Sequence, residues 1–310
     1  MDLFDQRGIQ PMLISEQVEP YDDDGSIFEL KLDGCRCIAY LDGSGVDLRN
    51  KRDRKLLSQF PELEHIYQNS HGKCILDGEL IVPVEGKPDF YQLQKRTLAT
   101  NPFKIKLAAS RSPAAFVAYD ILYLNGKPLA ELPLMERKEV LAKTVTECQQ
   151  FSVSRYIERQ GKALFEMAKQ QELEGVVGKK MSSLYWFGRR TKEWQKVKWM
   201  KDEDFVCIGY IPKEKGITSL VLAKYDENDI LHVITHVTLG VSRMKMKENG
   251  VQEGRCRLEQ IPDGHERAVW LEPVVCTIEY MPSERDGYRQ PVFKGFREDK
   301  QPEECRMPIL

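Results

Sequence analysis

The sequence predicts an α+β domain of clustered antiparallel strands over residues 1–201, followed by a small β-barrel over residues 202–310. Three observations carry this. The chain has 310 residues, about twice the roughly 150 that one domain takes. Up to residue 200 short apolar strands mix with helical stretches. Beyond Lys201 the text changes to alternating runs separated by turns such as KEKG, DEND and PDGH.

In chain order, strands are expected at SIFELKL (26–32), CRCIAYL (35–41), GVDLR (45–49), CILDGELIV (74–82), AAFVAYDILYL (114–124) and EGVVGKK (174–180). Helices are expected near 58–68, 133–149 and 160–172. The second part gives DFVCIGYI (204–211), SLVLAKY (219–225), ILHVITHVTL (230–239) and AVWLEPVVCTIEY (268–280). A helical stretch at 241–250, VSRMKMKENG, stops at a glycine. Five-stranded barrels that bind oligonucleotides carry a helix in that place. No internal repeat or low-complexity tract is present.

Composition narrows the class further. The chain is 41% hydrophobic and 30% charged, too apolar for disorder and too evenly charged for a membrane protein. No apolar run approaches the ~20 residues that span a bilayer, and MDLFDQRGIQ has no basic-then-apolar leader, so a cytoplasmic protein without membrane association is expected. Of the eight cysteines only Cys35 and Cys37 are close, with no second pair to complete a metal site, which makes them reduced packing residues. The histidines at 65, 71, 232, 236 and 265 lack metal-ligand spacing and receive no chemistry.

Net charge is −2, which excludes a globally basic nucleic-acid binder but not a local patch. Residues 179–201 supply one: eight Lys or Arg against one Glu, interleaved with Tyr185, Trp186, Phe187, Trp194 and Trp199. The acids at 16–24 read as a solvated face.

The chemistry sits in strand ends and strand interiors. Glu29-Leu30-Lys31-Leu32-Asp33-Gly34-Cys35-Arg36 ends a strand on a lysine, and a lysine amine freed of its proton is a nucleophile. Alone, Lys31 and Asp33 would be an ordinary surface pair. Acids also interrupt the apolar strands at Asp77-Gly78-Glu79 and at Tyr119-Asp120, and Glu174-Gly175-Val176-Val177-Gly178-Lys179 and Trp194-Gln195-Lys196-Val197-Lys198 follow. Lys196 and Lys198 project from one strand face, suited to clamping a phosphate. Charges inside strands are costly unless partnered, so these interruptions point to one shared polar cleft.

Taken together, K-x-D-G-x-R, D-G-E, an aromatic before Asp-Ile-Leu, E-G-V-V-x-K and W-x-K-x-K resemble the covalent nucleotidyltransferase superfamily, and within it the ATP-dependent DNA ligases. Pro11-Met12-Leu13, SSLYWFGRRTKEWQKVK and FKGFREDK are similar to the bacterial group related to the ligase domain of the multifunctional end-joining ligase. The resemblance implies an antiparallel-sheet nucleotidyltransferase (adenylation) domain, a C-terminal OB-fold barrel, and sealing of 3′-OH to 5′-phosphate nicks in duplex DNA.

Residue by residue, it implies that Lys31 attacks the α-phosphorus of ATP, expels pyrophosphate and stores AMP as a phosphoramidate, with Lys196 and Lys198 neutralising the α-phosphate. Glu79 and Glu174 would serve Mg²⁺ (or Mn²⁺) and the ribose. Arg36 would support the nucleotide sugar or the nick, and Arg49, with Lys51 and Arg52 beside it, the 5′-phosphate. Tyr119 would stack on adenine where the family usually has phenylalanine, and Glu29 would mark the adenine reader. Arg297, Asp299 and Lys300 would meet the pyrophosphate when the barrel swings over the cleft. NAD is disfavoured because the four-cysteine zinc module of NAD-dependent ligases is absent. The implied setting is DNA repair and recombination by a monomer, with a Ku-like end-binding partner. An RNA-capping guanylyltransferase, an RNA ligase and a non-catalytic OB-fold nucleic-acid-binding protein are the alternatives.

Overall fold

The computed structural model describes residues 2–213, 218–238, 240–241, 246, 250–281 and 287–308. Contacts divide the chain into two units, Met1–Lys198 and Trp199–Leu310.

Two sheets build the first unit. One has the order Leu13–Gln17, Arg190–Lys198, Gly175–Lys180, Ser26–Leu30, Tyr156–Glu158. The other runs Phe151–Val153, Ala115–Leu124, Cys74–Ile81, Cys35–Asp42, Gly45–Asn50, with Lys127–Pro128 paired to Ala115–Leu124. Pairing is antiparallel as expected, except that Leu13–Gln17 runs parallel to Arg190–Lys198 and Phe151–Val153 parallel to Ala115–Leu124. In both exceptions the chain returns to the sheet after a long excursion, which is what a parallel neighbour requires.

The second sheet is buried on both faces. Cys37, Ala39, Leu76, Leu80, Phe116 and Ala118 pack with Phe60, Leu63 and Leu141, while Ile38, Tyr40, Ile75 and Leu122 pack with Ile27, Met12 and Trp194. That is why CILDGELIV and AAFVAYDILYL read as nearly continuous apolar runs.

Helices Leu134–Thr144 and Gly161–Gln170 form where expected, the first ending early because β-branched Thr144 and Val145 lead into extended chain. The helix expected near 58–68 is instead three 3₁₀ turns, Leu57–Gln59, Pro61–Leu63 and Ile66–Asn69. Pro61 lacks the N–H that would carry a helix through, and the turns deliver Phe60, Leu63 and Ile66 to the core in its place. Helices Phe90–Thr97 and Pro102–Arg111 were not expected, although Asp89 and Asn101 cap them by accepting from Gln92 N and from Phe103 N and Lys104 N.

In the second unit one antiparallel sheet has the order Leu231–Val237, Thr218–Tyr225, Lys201–Pro212, Val269–Met281, Arg289–Arg297. The last strand was not among those expected. The register shift between Cys207 and Gly209 bends the central strand. Apolar side chains cover both faces, Phe205, Cys207 and Leu222 on one and Val206, Ile208 and Val221 on the other. Among the described residues no ladder joins the two outer strands, so the expected barrel is present as an open sheet. Most of the helical stretch expected at 241–250 lies outside the described residues. His236 and His265 meet with their Nε2 atoms 2.8 Å apart. All eight cysteines are free, and no described helix is long and apolar enough to cross a membrane.

One buried ion pair ties the helix Leu134–Thr144 to its sheet: Arg137 Nε and Nη2 donate to Asp120 Oδ1 and Oδ2 at 2.8 and 2.9 Å, both side chains 0% exposed. Asp120→Ala leaves that guanidinium uncompensated and is expected to cost about 3–5 kcal/mol. Denaturant unfolding of the two proteins checks this, a loss under about 1 kcal/mol contradicting it.

Candidate active site

The site grows out of the four-residue passage between the two sheets, from Leu30 to Cys35. Lys31 N donates to Gly175 O at 2.9 Å, which extends the ladder by one residue and sets where the lysine leaves the sheet. A Cβ on Gly34 would stand 2.4 Å from Leu80 O and 2.7 Å from Glu79 Cγ, so only glycine lets the passage cross the strand carrying Glu79. Gly175, at φ +134°, has the same role toward Val197 O, 2.1 Å from its would-be Cβ.

Register assembles the polar face. Glu29 lies opposite Val177 and Val177 opposite Lys196, while Lys179 faces Trp194 and Gly175 faces Lys198. Period-two alternation therefore places Glu29, Lys179, Trp194, Lys196 and Lys198 on one side. From the other sheet, Arg36 lies opposite Glu79, and a slip in pairing makes Tyr119 the extra residue of a bulge between Ala118 and Asp120. A cavity of about 550 Å³ is lined by Glu29, Lys31, Arg36, Glu79, Tyr119, Lys179 and Trp194, with Phe90, Leu93 and Gln94 from an unexpected helix.

One carboxylate holds two of the expected lysines. Lys31 Nζ donates to Glu174 Oε2 at 2.7 Å, and Lys198 Nζ stands 3.4 Å from Glu174 Oε1. Lys31 keeps 23% of its side chain exposed while Glu174 keeps 4%, so the amine remains reachable and its partner does not. Burial, together with the charges of Lys198, Lys31 and Arg190, holds Lys196 below the usual lysine range. Across the cleft, burial pushes Glu79 up to about 8, and repulsion from Asp77 and Glu174 adds to it against the pull of Lys31 and Arg36.

Arg36 is largely committed inside the protein. Its Nε and Nη2 donate to Asp77 Oδ1 and Oδ2 at 3.0 and 2.6 Å, and Nη1 to Met12 O at 2.6 Å. Tyr185 Oη donates to Asp77 Oδ2 at 2.6 Å and accepts from Met12 N at 3.2 Å. This network locks the two sheets together, and Met12, Asp77 and Tyr185 were not singled out as its members.

Glu29 is buried between two lysines, pairing with Lys138 through Oε1 and with Lys179 through Oε2 at 3.1 Å. Burial alone would raise Glu29, but Lys138 and Lys179 hold it below the usual carboxylate range. Burial, helped by Lys138 and opposed by Glu29, draws Lys179 down to about 8. Lys179 Nζ also stands 4.4 Å from the Tyr119 ring centroid and 4.1 Å from that of Trp194. Trp194 is 2% exposed and packs edge-on against Tyr119, so it forms the floor rather than an open stacking surface.

Arg49 is pinned to its own hairpin, donating from Nε to Asp47 Oδ2 at 2.9 Å and from Nη1 to Asp53 Oδ1 at 2.8 Å. Lys51 and Arg52 line the cavity in its place, with Arg54, which the sequence reading passed over. Arg297, Asp299 and Lys300 belong to the second unit, where Arg297 and Lys300 converge on Asp204, another residue passed over, and Asp299 pairs with Arg297. Asp204 Oδ2 accepts from Arg297 Nη1 at 2.8 Å and Lys300 Nζ at 3.0 Å, and Asp299 accepts from Arg297 Nε and Nη2 at 3.0 and 2.6 Å.

Comparison with known proteins agrees in both units. A family model described as "ATP dependent DNA ligase domain" matches residues 11–198, and one described as "ATP dependent DNA ligase C terminal region" matches 213–300. DNA ligase C1 of Mycolicibacterium smegmatis is 31% identical, over 100% of this chain and 96% of that protein. The SPbeta prophage-derived DNA ligase-like protein LigB of Bacillus subtilis is 27% identical, over 93% of this chain and 99% of its own. Among solved structures, mycobacterial DNA ligase D complexed with ATP and MES shares the fold at TM-score 0.57 and 24% identity, covering 98% of this chain and 99% of the other.

The raised Glu79 makes a signed prediction. Because its folded value of about 8 lies above the ordinary 4.5, the folded state binds the extra proton between those limits, and the group's contribution to stability is lost as pH rises through them. Glu79→Gln, free of divalent cations, is expected to exceed the parent in stability at pH 8 by on the order of 1–3 kcal/mol and to match it near pH 4. Denaturant unfolding at the two pH values measures this, and a variant weaker than the parent at pH 8 contradicts it.

Proposed function

This chain belongs to the ATP-dependent DNA ligases, and within that activity we propose that Lys31 is the residue that carries AMP. The observation behind it is the position of Lys31 Nζ, held by Glu174 Oε2 at 2.7 Å beside a cavity floored by Tyr119 and Trp194. Adenine stacks on Tyr119, and Glu29 reads its edge. The Lys31 amine forms a bond to the α-phosphorus as the bond to the pyrophosphate oxygen breaks, and the amine proton leaves to solvent. Lys196 and Lys198 balance the charge that builds on the phosphate, and Glu174 keeps the amine in line.

AMP then passes to the 5′-phosphate of the nick, and the 3′-hydroxyl attacks that phosphate and releases AMP. Lys51, Arg52 and Arg54 at the cavity edge serve the 5′-phosphate, with Arg49 bracing their hairpin, and Arg36 orients the cleft through Asp77. Adenylation is assigned to residues 1–201 and the OB-fold to 202–310. Arg297, Asp299 and Lys300 serve the leaving pyrophosphate.

A divalent cation fits the donors present. Burial raises Glu79 despite the pull of Lys31 and Arg36, so a cation bound beside it would favour its ionised form. Among the described residues no group of three or more His, Cys, Asp or Glu converges on a metal position, and Mg²⁺ needs only one or two carboxylates beside phosphate oxygens and water. Glu79 and Glu174 would hold Mg²⁺ or Mn²⁺, which neutralises phosphate charge when bound. We further propose a cytoplasmic monomer acting in DNA repair and recombination, in the end-joining setting that a Ku-like partner would supply. Neither family match nor relative favours the capping, RNA-sealing or purely binding alternatives.

Two steps separate the roles experimentally. Arg297→Ala is expected to lower lysine adenylation at least 100-fold yet to seal a nick adenylated beforehand within about threefold of the parent, because pyrophosphate is absent from the last step. Single-turnover sealing of both substrates measures this. Equal loss on the two would remove Arg297 from the first step.

A further inference from the structure

The helix Leu134–Thr144 buries a stripe of Leu134, Arg137, Lys138, Leu141 and Thr144. Two cations in such a stripe are costly unless each meets an acid. Arg137 meets Asp120. Lys138, 3% exposed, meets only Glu29 among the ion pairs of the described residues, and Glu29 is itself 2% exposed and lies on a strand of the other sheet. Glu29 and Lys179 line the cavity whereas Lys138 does not, so Lys138 stands behind the surface that a nucleotide would touch.

We infer that Lys138 is a positioning residue that clamps Glu29 as a fixed, acceptor-only group facing the edge of the base and so sets the preference for a nucleotide whose base carries an amino group. The inference rests on the placement of the ATP base in this cavity. With Lys138 on Oε1 and Lys179 on Oε2, the carboxylate plane is held from both sides. An ionised carboxylate has no proton to donate and about four lone-pair positions, so with Ser154 bonded to it beside the two lysines one position remains to accept from the base. A base N–H is therefore satisfied there, and a base carbonyl is turned against another acceptor, an arrangement that discriminates strongly because a buried polar group is left unpaired.

Lys179 does not provide this alone. Its ammonium is shared with the faces of Tyr119 and Trp194, whereas the ring near Lys138 is Tyr156, at 5.6 Å, opposite Glu29 in the ladder. Without Lys138 the carboxylate can turn toward Lys179. Burial also then favours its neutral form, which has an O–H to offer a carbonyl.

The experiment compares lysine adenylation by ATP and by inosine triphosphate, which has a carbonyl in place of the amino group, in the parent and in Lys138→Met, Lys138→Gln and Lys138→Arg. Lys138→Met is expected to raise KM for ATP about tenfold with kcat within about twofold, and to cut the preference for ATP about tenfold, while Lys138→Arg stays within about threefold of the parent. Lys138→Gln, also uncharged, carries the comparison if the methionine variant does not fold. An unchanged preference in the uncharged variants, a loss confined to kcat, or an arginine variant as unselective as methionine would overturn the inference. A parent that takes up no AMP from ATP would instead refute the assignment of the cavity.

Discussion

Four residues take the chain from one sheet to the other, and the rest of the site is arranged around that passage. Lys31 leaves the strand Ser26–Leu30 tied to Gly175 O, and Gly34 presses against Leu80 O before the next strand begins at Cys35. So short a link leaves the lysine little freedom over where it stands: at the seam, with Glu174 from one sheet and Glu79 from the other. The Arg36–Asp77–Tyr185–Met12 network closes the same seam and keeps the two sheets from shearing apart. Positioning of this kind is the main resource of phosphoryl-transfer enzymes, in which the protein supplies geometry and charge rather than bonds.

Around the seam, burial and charge are balanced differently at each acid. Asp77 and Asp120 each receive a bidentate arginine and become structural ties. Glu174 is shared by two lysines, Glu29 is gripped by two more, and Glu79 is raised by burial against the pull of Lys31 and Arg36. The first group holds the cleft together; under the proposed function the second would orient the nucleophile and the base reader, and the third would take a cation. Lys31 and Arg36, separated by one passage, thus have opposite fates: one is kept reachable, the other is spent on the frame.

Much of this was legible in the sequence. Strand positions follow from apolar runs, and the interruptions at Glu79, Tyr119, Glu174 and Lys196 do converge on one cleft or its edge. Asp77 and Asp120 are the exceptions, because an acid inside a strand reads the same whether it faces a ligand or a buried arginine, and for Asp120 only the helix stripe holding Arg137 and Lys138 could have told them apart. The helix expected near 58–68 failed at Pro61, where apolar spacing outweighed the missing N–H in the reading but not in the chain. Helices Phe90–Thr97 and Pro102–Arg111 bury few apolar side chains, and their local signals were the caps at Asp89 and Asn101 and the proline that opens the second. Arg49, Lys51 and Arg52 were read together, because spacing does not show that Asp47 and Asp53 hold Arg49 to its hairpin, and Arg54 gave no signal of its own.

The central claim is that Lys31 stores AMP. Intact mass of the purified protein after incubation with ATP and Mg²⁺, then with excess pyrophosphate, followed by peptide mapping, tests it most directly. The account predicts a gain of one adenylyl group on the peptide containing Lys31, its removal by pyrophosphate, and no gain in a folded Lys31→Ala variant. An adduct of undiminished yield in that variant, or one mapped to another residue, would contradict it.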